Sequence, residues 1–335
     1  MAGRPLVPVT LAALEAQGLL SSWCLDRSVV ERLLEAIEEE YVFNNGYHNN
    51  IHAADVVQSV NCMIMGDTTG FTKVERFAIL LAAAGHDLAH PGVTNDFHIA
   101  TRSPLAELFN DQSCNEHYHV RGLLRILDRF GGPLKASFAT DEWRYVRNVI
   151  TATILATDMK MHFSVLEAFE KGLREKDVSP LPRLKMCLHL ADISNPARRI
   201  EIAEQWAYGL RNELVSQGER GTRRAIADVR AEGGRPGTRP DGFRRTCPTC
   251  PVPRRTCPTC SPPVSPCAAE AREGIPMTPM CDPSLAIPPG QVMFIEMYLL
   301  QTIELWASTA PVMGGVLRSG AQETLATWKG RAAGV

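Results

Sequence analysis

The sequence predicts an all-α protein, a compact multi-helix bundle interrupted by one disordered insertion, and three observations carry that expectation. Helix-start signals recur between residues 28 and 217 while strand-type alternation is nearly absent. All nine histidines fall between His48 and His189, inside that helical stretch. The prolines do the opposite: 14 of the 23 lie between Gly221 and Gln291, where the helical pattern fails.

Taken in order, Ser28 with Glu31 has the spacing of a capping box ahead of the apolar series Val29, Val30, Leu33, Leu34 and Ile37. Thr72 with Glu75 repeats it ahead of Phe77, Ile79, Leu80 and Leu81. Ser103 before Pro104 reads as an N-cap followed by an N1 proline. Ser113 with Glu116 is a third box, leading toward Leu123, Leu124 and Ile126. Further helices are expected over about 141–156, 184–191 and 199–216, and again from about Pro289 past Trp306.

One domain is therefore expected over residues 1–335, with its core over about 28–217 and 274–325. The insertion, about 221–272, is rich in proline, arginine and cysteine; from Arg220 to Arg272 there are 11 arginines and no lysine. Arg244-Arg245-Thr246-Cys247-Pro248-Thr249-Cys250 is repeated ten residues later, from Arg254 to Cys260. Such a composition buries too little apolar surface to offset the entropy of ordering it. Cys247, Cys250, Cys257 and Cys260 supply the ligand count of a structural zinc, but the short spacing and the duplication favour a low-complexity tract.

Composition excludes several classes of function. With 335 residues and 45% hydrophobic content the chain can bury a large core. Its 35 basic and 37 acidic residues nearly balance, so neither nucleic acid nor an anionic membrane is the expected partner. A small substrate fits better. Residues 1–10 lack the pattern of a secretory leader, and no run of about 18 apolar residues occurs, so no membrane span is expected and the cytoplasm is the expected compartment.

The chemistry is concentrated among the histidines and aspartates. His48 and His52 stand four apart, which on a helix would put both rings on one face. His86-Asp87-Leu88-Ala89-His90 offers two imidazoles and a carboxylate within five residues, the donors that zinc and its neighbours accept. Asp192 ends an apolar helical run in His189-Leu190-Ala191-Asp192-Ile193-Ser194-Asn195-Pro196. Any one of these is common by chance; their co-occurrence in one helical domain points to a metal site.

Five segments in order carry a resemblance: Tyr47-His48-Asn49 with His52 and Asp55; His86-Asp87 with His90-Pro91-Gly92; Thr157-Asp158-Met159 with His162-Phe163; Ala191 to Pro196; and Gln291-Val292 with Phe294-Ile295. Together they resemble the class I 3′,5′-cyclic-nucleotide phosphodiesterases, of the His-Asp metal phosphohydrolase superfamily, over roughly 41–217 and 274–311. The resemblance implies hydrolysis of a 3′,5′-cyclic nucleotide to the 5′-monophosphate by a metal-bridging hydroxide, with cyclic AMP weakly favoured over cyclic GMP because of Asn195. It implies that His52, His86, Asp87 and Asp192 hold Zn2+ at a first site, and that Mg2+ or Mn2+ occupies a second site bridged by Asp87. His48 is implied as the general acid, kept protonated by Glu213. His90, Glu116 and Thr157 are implied to order waters on the second ion, although Glu116 is equally readable as the capping partner of Ser113. Tyr47, Asn195, Gln291 and Phe294 are the implied substrate contacts, Gln291 pairing with the purine edge and Phe294 stacking on it.

Two departures stand out. Tyr118, in Asn115-Glu116-His117-Tyr118-His119, replaces one of the histidines paired in the family, and Met293 replaces a glycine beside the expected purine pocket. Two other readings share part of the evidence. A different nucleotide phosphohydrolase of the His-Asp superfamily would share the metal ligands but has no reason to carry Gln291 with Phe294; a catalytically impaired nucleotide-binding protein has no reason to retain the whole ligand set.

Overall fold

The computed structural model describes residues 3–67, 70–130, 132–176, 179–232, 246–247, 250–253 and 286–334. The chain divides into two units: the first comprises Met1–Pro91, Asn115–Leu210 and Ala286–Val335, the second Gly92–Cys114 and Arg211–Leu285.

In the first unit the architecture is helix on helix. α1 (Leu6–Ala16), α2 (Leu19–Ser22) and α3 (Arg27–Glu39) precede the extent expected from the sequence or open it. α1 belongs to the core, with Leu6, Leu11 and Leu14 buried. No side chain of its own caps it. Instead Glu38 of α3, itself buried, accepts from Leu6 N at 3.0 Å and from Asn50 Nδ2 at 2.9 Å. A long-range cap of this kind is invisible in local sequence. The start of α3 also differs from the capping box expected at Ser28. Asp26 is the cap, accepting from Ser28 N at 2.8 Å, because the extended backbone lies at Asp26 and the helix is already under way at Arg27.

α4 (Asn50–Gly66) and α5 (Lys73–Gly85) form the centre with α10 (Thr140–Ile154) and α12 (Pro180–Ile193). The Thr72–Glu75 box is present in full, with Glu75 N donating to Thr72 Oγ1 at 3.3 Å and Thr72 N to Glu75 Oε2 at 2.7 Å. From Phe77 to Gly85 every residue of α5 is buried. A helix apolar all round must lie at the middle of a bundle. Each buried Leu, Ile or Phe contributes about 1.5–3 kcal/mol. The consequence for function is positional: the end of this central helix delivers His86 and Asp87 into the interior.

The rest of the unit surrounds that centre. α8 (Cys114–Phe130), whose first residue belongs to the second unit, and α9 (Gly132–Ala136) precede α10; α11 (His162–Glu175) packs on α12. α14 (Ile287–Phe294) continues through a π-helical turn, Ile295–Leu299, into α15 (Leu300–Ala307), which packs on α16 (Pro311–Ala333). The helices expected over 141–156, 184–191 and from Pro289 are present, with α12 starting a turn earlier behind Pro180.

The second unit holds α6 (Asn95–Ala100) and α7 (Pro104–Phe109), with Thr94 and Ser103 as their N-caps and Pro104 in the first turn. Gln217 Oε1 accepts from Thr94 N at 2.9 Å. α13 (Ile200–Glu232) begins in the first unit and runs on past the expected stop near 216. Of the expected disordered insertion, residues 221–232 are therefore helical. Strands β1 (Thr246–Cys247) and β2 (Cys250–Pro253) pair antiparallel, with Cys247 opposite Cys250. The remainder of that stretch, Cys257 and Cys260 included, lies outside the described residues.

Candidate metal centre

The loop before α4 sets the first part of the site. Asn49 caps α4, its Oδ1 accepting from Ile51 N at 2.9 Å and His52 N at 3.2 Å. That cap places His52 in the first turn and leaves His48 outside the helix. The expectation of two rings on one helical face is corrected: the loop, not helical periodicity, brings them together, edge to face with centroids 6.1 Å apart. The loop is pinned from behind by Gly209, where an added Cβ would lie 2.4 Å from Gly46 O. Asn45 Nδ2 fixes it from the front, donating to His48 O at 2.9 Å and His90 O at 2.8 Å.

Four side chains converge behind this loop. His52 and His86 are fully buried and Asp87 is 8% exposed. His52 Nε2 lies 2.9 Å from Asp192 Oδ1 and 3.5 Å from Asp87 Oδ2; His86 Nε2 lies 3.1 Å from Asp87 Oδ2, 3.4 Å from Asp192 Oδ1 and 3.4 Å from His52 Nε2. One donor atom from each thus falls within a sphere small enough for a single ion.

The donor set passes a test of fit for a divalent cation. Zinc bonds of about 2.0–2.2 Å in a tetrahedron put ligand atoms about 3.3–3.6 Å apart, close to most of these separations. His86 Nδ1 lies 2.9 Å from Ala83 O; a carbonyl only accepts, so Nδ1 carries the proton, and in neutral His86 Nε2 turns a lone pair to the cluster. Asp87 Oδ2 is buried and accepts no hydrogen bond despite two ring nitrogens beside it. A buried carboxylate oxygen without a hydrogen is costly unless a cation faces it.

The electrostatics agree. Burial by itself disfavours charge on His86, but Asp87 and Asp192 overcome it and raise its pKa well above 6.5. Burial likewise works against ionised Asp87 and Asp192, yet the neighbouring imidazoles hold both well below the usual carboxylate range. The pocket is built for positive charge.

Tyr47 lies against the four donors, His48 and His90 lie next to it, and Glu116 and Thr157 have places of their own in the first unit. Tyr47 packs on His52, ring centroids 4.5 Å apart, and its hydroxyl oxygen accepts from Asn195 Nδ2. Burial, then Asp192 and Asp87, raise the Tyr47 pKa well above 10, so the phenol stays neutral. His48 stacks on His90 at 3.9 Å. The turn that aims His90 runs through Ala89 in the left-handed region, at φ 58. Glu116 lies in the first turn of α8 and is half-buried; Thr157 is buried in a 3-10 turn where its hydroxyl donates to Ile154 O at 2.8 Å.

Gln291 and Phe294 are both half-buried on α14. Phe294 meets Tyr298 at 5.6 Å, Tyr298 meets His162 at 5.0 Å, and His162 hydrogen-bonds His189, one turn before Asp192. Met293 is 52% exposed. Glu213 is buried on α13, in the second unit.

His119 has no role in the sequence reading, and the structure gives it a place. It is 1% exposed, its Nδ1 donates to Leu88 O at 2.7 Å, and Nε2 therefore points a lone pair toward Asp87 Oδ1, 3.9 Å away. Burial lowers its pKa to about 4, so the ring is neutral. Helical phase was the available signal: of the neighbours Tyr118 and His119 only one can face inward, and Tyr118 is 37% exposed.

A family described as 3'5'-cyclic nucleotide phosphodiesterase matches residues 47–229. The chain is 37% identical over 207 residues to a human dual specificity calcium/calmodulin-dependent 3',5'-cyclic nucleotide phosphodiesterase 1C, covering 60% of this chain and 29% of that protein. It is 33% identical over 216 residues to the mouse protein of the 1B type, covering 63% and 40% respectively. The chain thus matches well under half the length of these relatives. Among solved structures it is similar to the phosphodiesterase domain of the RhoPDE fusion protein from the choanoflagellate Salpingoeca rosetta, with TM-score 0.77 and 25% identity over 98% of this chain and 91% of that one.

Proposed function

The chain belongs to the 3′,5′-cyclic nucleotide phosphodiesterase family, and from that premise we propose that it hydrolyses a 3′,5′-cyclic nucleotide to the 5′-monophosphate at the His52, His86, Asp87 and Asp192 cluster. The observation that carries this reading is the cluster itself, with two buried imidazoles and two carboxylates turned on one point.

His52, His86, Asp87 and Asp192 would hold Zn2+, and Asp87 would share Mg2+ or Mn2+ at a second site; bound there, such ions supply charge to the phosphate and lower the pKa of an adjacent water. The chain's own residues do the rest. Hydroxide, left when the attacking water gives its proton to solvent, adds to phosphorus; the bond from phosphorus to the 3′ oxygen breaks, that oxygen takes a proton from His48 as general acid, and His48 recovers a proton from solvent. Glu213 is proposed to keep that proton on His48. His90, Glu116 and Thr157 are proposed to orient water on the side of the second ion, and the His119 lone pair fits the same task.

For the substrate, Tyr47 and Asn195 are proposed as contacts near the sugar and base, Gln291 as the partner of the purine edge and Phe294 as the stacking face. Asn195 leans toward cyclic AMP. Its Nδ2 is engaged with Tyr47, which leaves Oδ1, an acceptor suited to an exocyclic amine. Among the described residues no single helix is long and apolar enough to cross a membrane, and the cytoplasm is the compartment we propose.

The test is hydrolysis of cyclic AMP and cyclic GMP by purified protein, with and without a chelator, beside Asp192→Ala. Turnover that the chelator stops and the variant lacks is expected, with zinc lost from the variant. Chelator-insensitive turnover, or full activity in Asp192→Ala, would overturn the assignment.

A further inference from the structure

The turn after Asp192 is fastened from several sides. Ser194 Oγ donates to Ala191 O at 2.8 Å, and Asn195 Nδ2 to the Tyr47 hydroxyl oxygen. Arg198 then reaches back to α4: Nη2 lies 3.1 Å from Asp55 Oδ1 and 3.3 Å from Oδ2, and also donates to Ser59 Oγ. Ser59 Oγ donates to Asp55 O at 2.7 Å, so one guanidinium nitrogen meets two residues a helical turn apart. From α16, buried Thr324 donates its Oγ1 to Arg198 O at 3.0 Å. The backbones touch there as well, since an added Cβ on Gly320 would lie 2.1 Å from Ala197 O.

Asp55 follows His52 by three residues, one turn along α4, while Arg198 follows Asp192 through the short 3-10 turn Asn195–Ala197. The Arg198–Asp55 pair therefore joins the two elements that supply His52 and Asp192, whose donor atoms stand 2.9 Å apart. Both side chains keep about a fifth of their surface in water, 24% and 20%, so the pair adds little to global stability. Ligand spacing is a stricter demand, because metal–ligand distances hold within about 0.2 Å. A tether that blocks sliding of the 192–198 turn along α4 acts on that quantity.

We propose that Arg198, acting through Asp55, is a positioning residue that sets cation affinity by holding Asp192 in register with His52. The inference rests on the reading that the four-donor cluster holds a divalent cation.

The experiment measures the zinc dissociation constant by competition with a chromophoric chelator, at a temperature where circular dichroism shows each protein folded. Wild type, Arg198→Ala, Arg198→Lys, Asp55→Asn and the double variant Arg198→Ala/Asp55→Asn are compared. Arg198→Ala is expected to weaken zinc binding about tenfold, in the range of outer-sphere substitutions, Asp55→Asn by a similar factor, and the double variant by no more than either. Arg198→Lys should recover part of the loss, and it carries the test alone if Arg198→Ala is insoluble. A variant that melts earlier but binds zinc as wild type does, or a double variant showing the product of the single effects, would overturn the proposal. Wild-type protein that binds no zinc would remove the metal reading and this inference together.

Discussion

Two buried clusters of histidine lie in the first unit, and they differ in what surrounds the rings. At the candidate metal centre, His52 and His86 face Asp87 and Asp192, and an unbonded carboxylate oxygen points at the same spot as two ring nitrogens. Between α11 and α12, His162 Nδ1 and His189 Nε2 bond directly to each other at 2.8 Å. Burial lowers the pKa of His162; burial and then His162 lower that of His189 to about 4, although Asp192 pulls the other way. Both pairs are fully buried. Two carboxylates in direct contact suit one pair to a cation, whereas direct bonding of ring to ring makes the other a neutral piece of core. Burial of histidine by itself says little about function.

The largest effect that would sharpen this contrast is at His48, which stacks beside the metal centre without belonging to its four donors. His48→Ala should lower kcat by roughly 10² to 10⁴ if it is the general acid, with zinc content unchanged. Zinc measured by mass spectrometry alongside steady-state kinetics decides this. Loss of metal together with activity would make His48 part of the binding site, and the separation between donors and acid would fall.

The second effect probes the neutral pair. His189 titrates near 6.5 when unfolded and at about 4 in the folded chain, so between those values the unfolded state binds more protons. Stability is therefore lost as pH falls from about 6.5 toward 4 and levels off below. Across that window the single group is worth roughly 3 kcal/mol. Urea unfolding at pH 7 and pH 4.5 should show the loss in wild type and a smaller one in His189→Leu, the difference cancelling contributions from His119 and the carboxylates. Equal losses in both proteins would mean that His189 is not held neutral.

Much of this was legible in the sequence because it was local or periodic. The Thr72–Glu75 box and the Ser103–Pro104 start are contiguous signals, and both stand where the spacing put them. The convergence of His86, Asp87 and Asp192 was foreshadowed as well, because His86 and Asp87 follow the apolar stretch of α5 and Asp192 ends that of α12. What escaped was set by distant partners. α1 depends on Glu38, which no window around Leu6 contains. His48 leaves the helical face because Asn49 wins the cap, and His119 gains its place through the carbonyl of Leu88. The stop of α13 was placed where composition changes, yet the helix continues to Glu232.

The smallest effect tests whether the tyrosine in the Asn115-Glu116-His117-Tyr118-His119 segment disturbs the site at all. Tyr118 is 37% exposed on α8, and His119, its neighbour, is the ring turned inward toward Asp87. Successive residues on a helix point about 100° apart, so the departure from the family pattern falls on the outer of the two positions. Tyr118→His should change stability by no more than about 0.5 kcal/mol and leave kcat/KM within about twofold of wild type, as for other surface substitutions. His119→Ala removes a buried hydrogen bond and leaves Leu88 O without its donor, costing about 1–3 kcal/mol. Thermal melts and activity on the two variants place them in that order. A Tyr118→His protein that gains activity severalfold would show that the outer position reaches the site, and that the replaced histidine limits this chain.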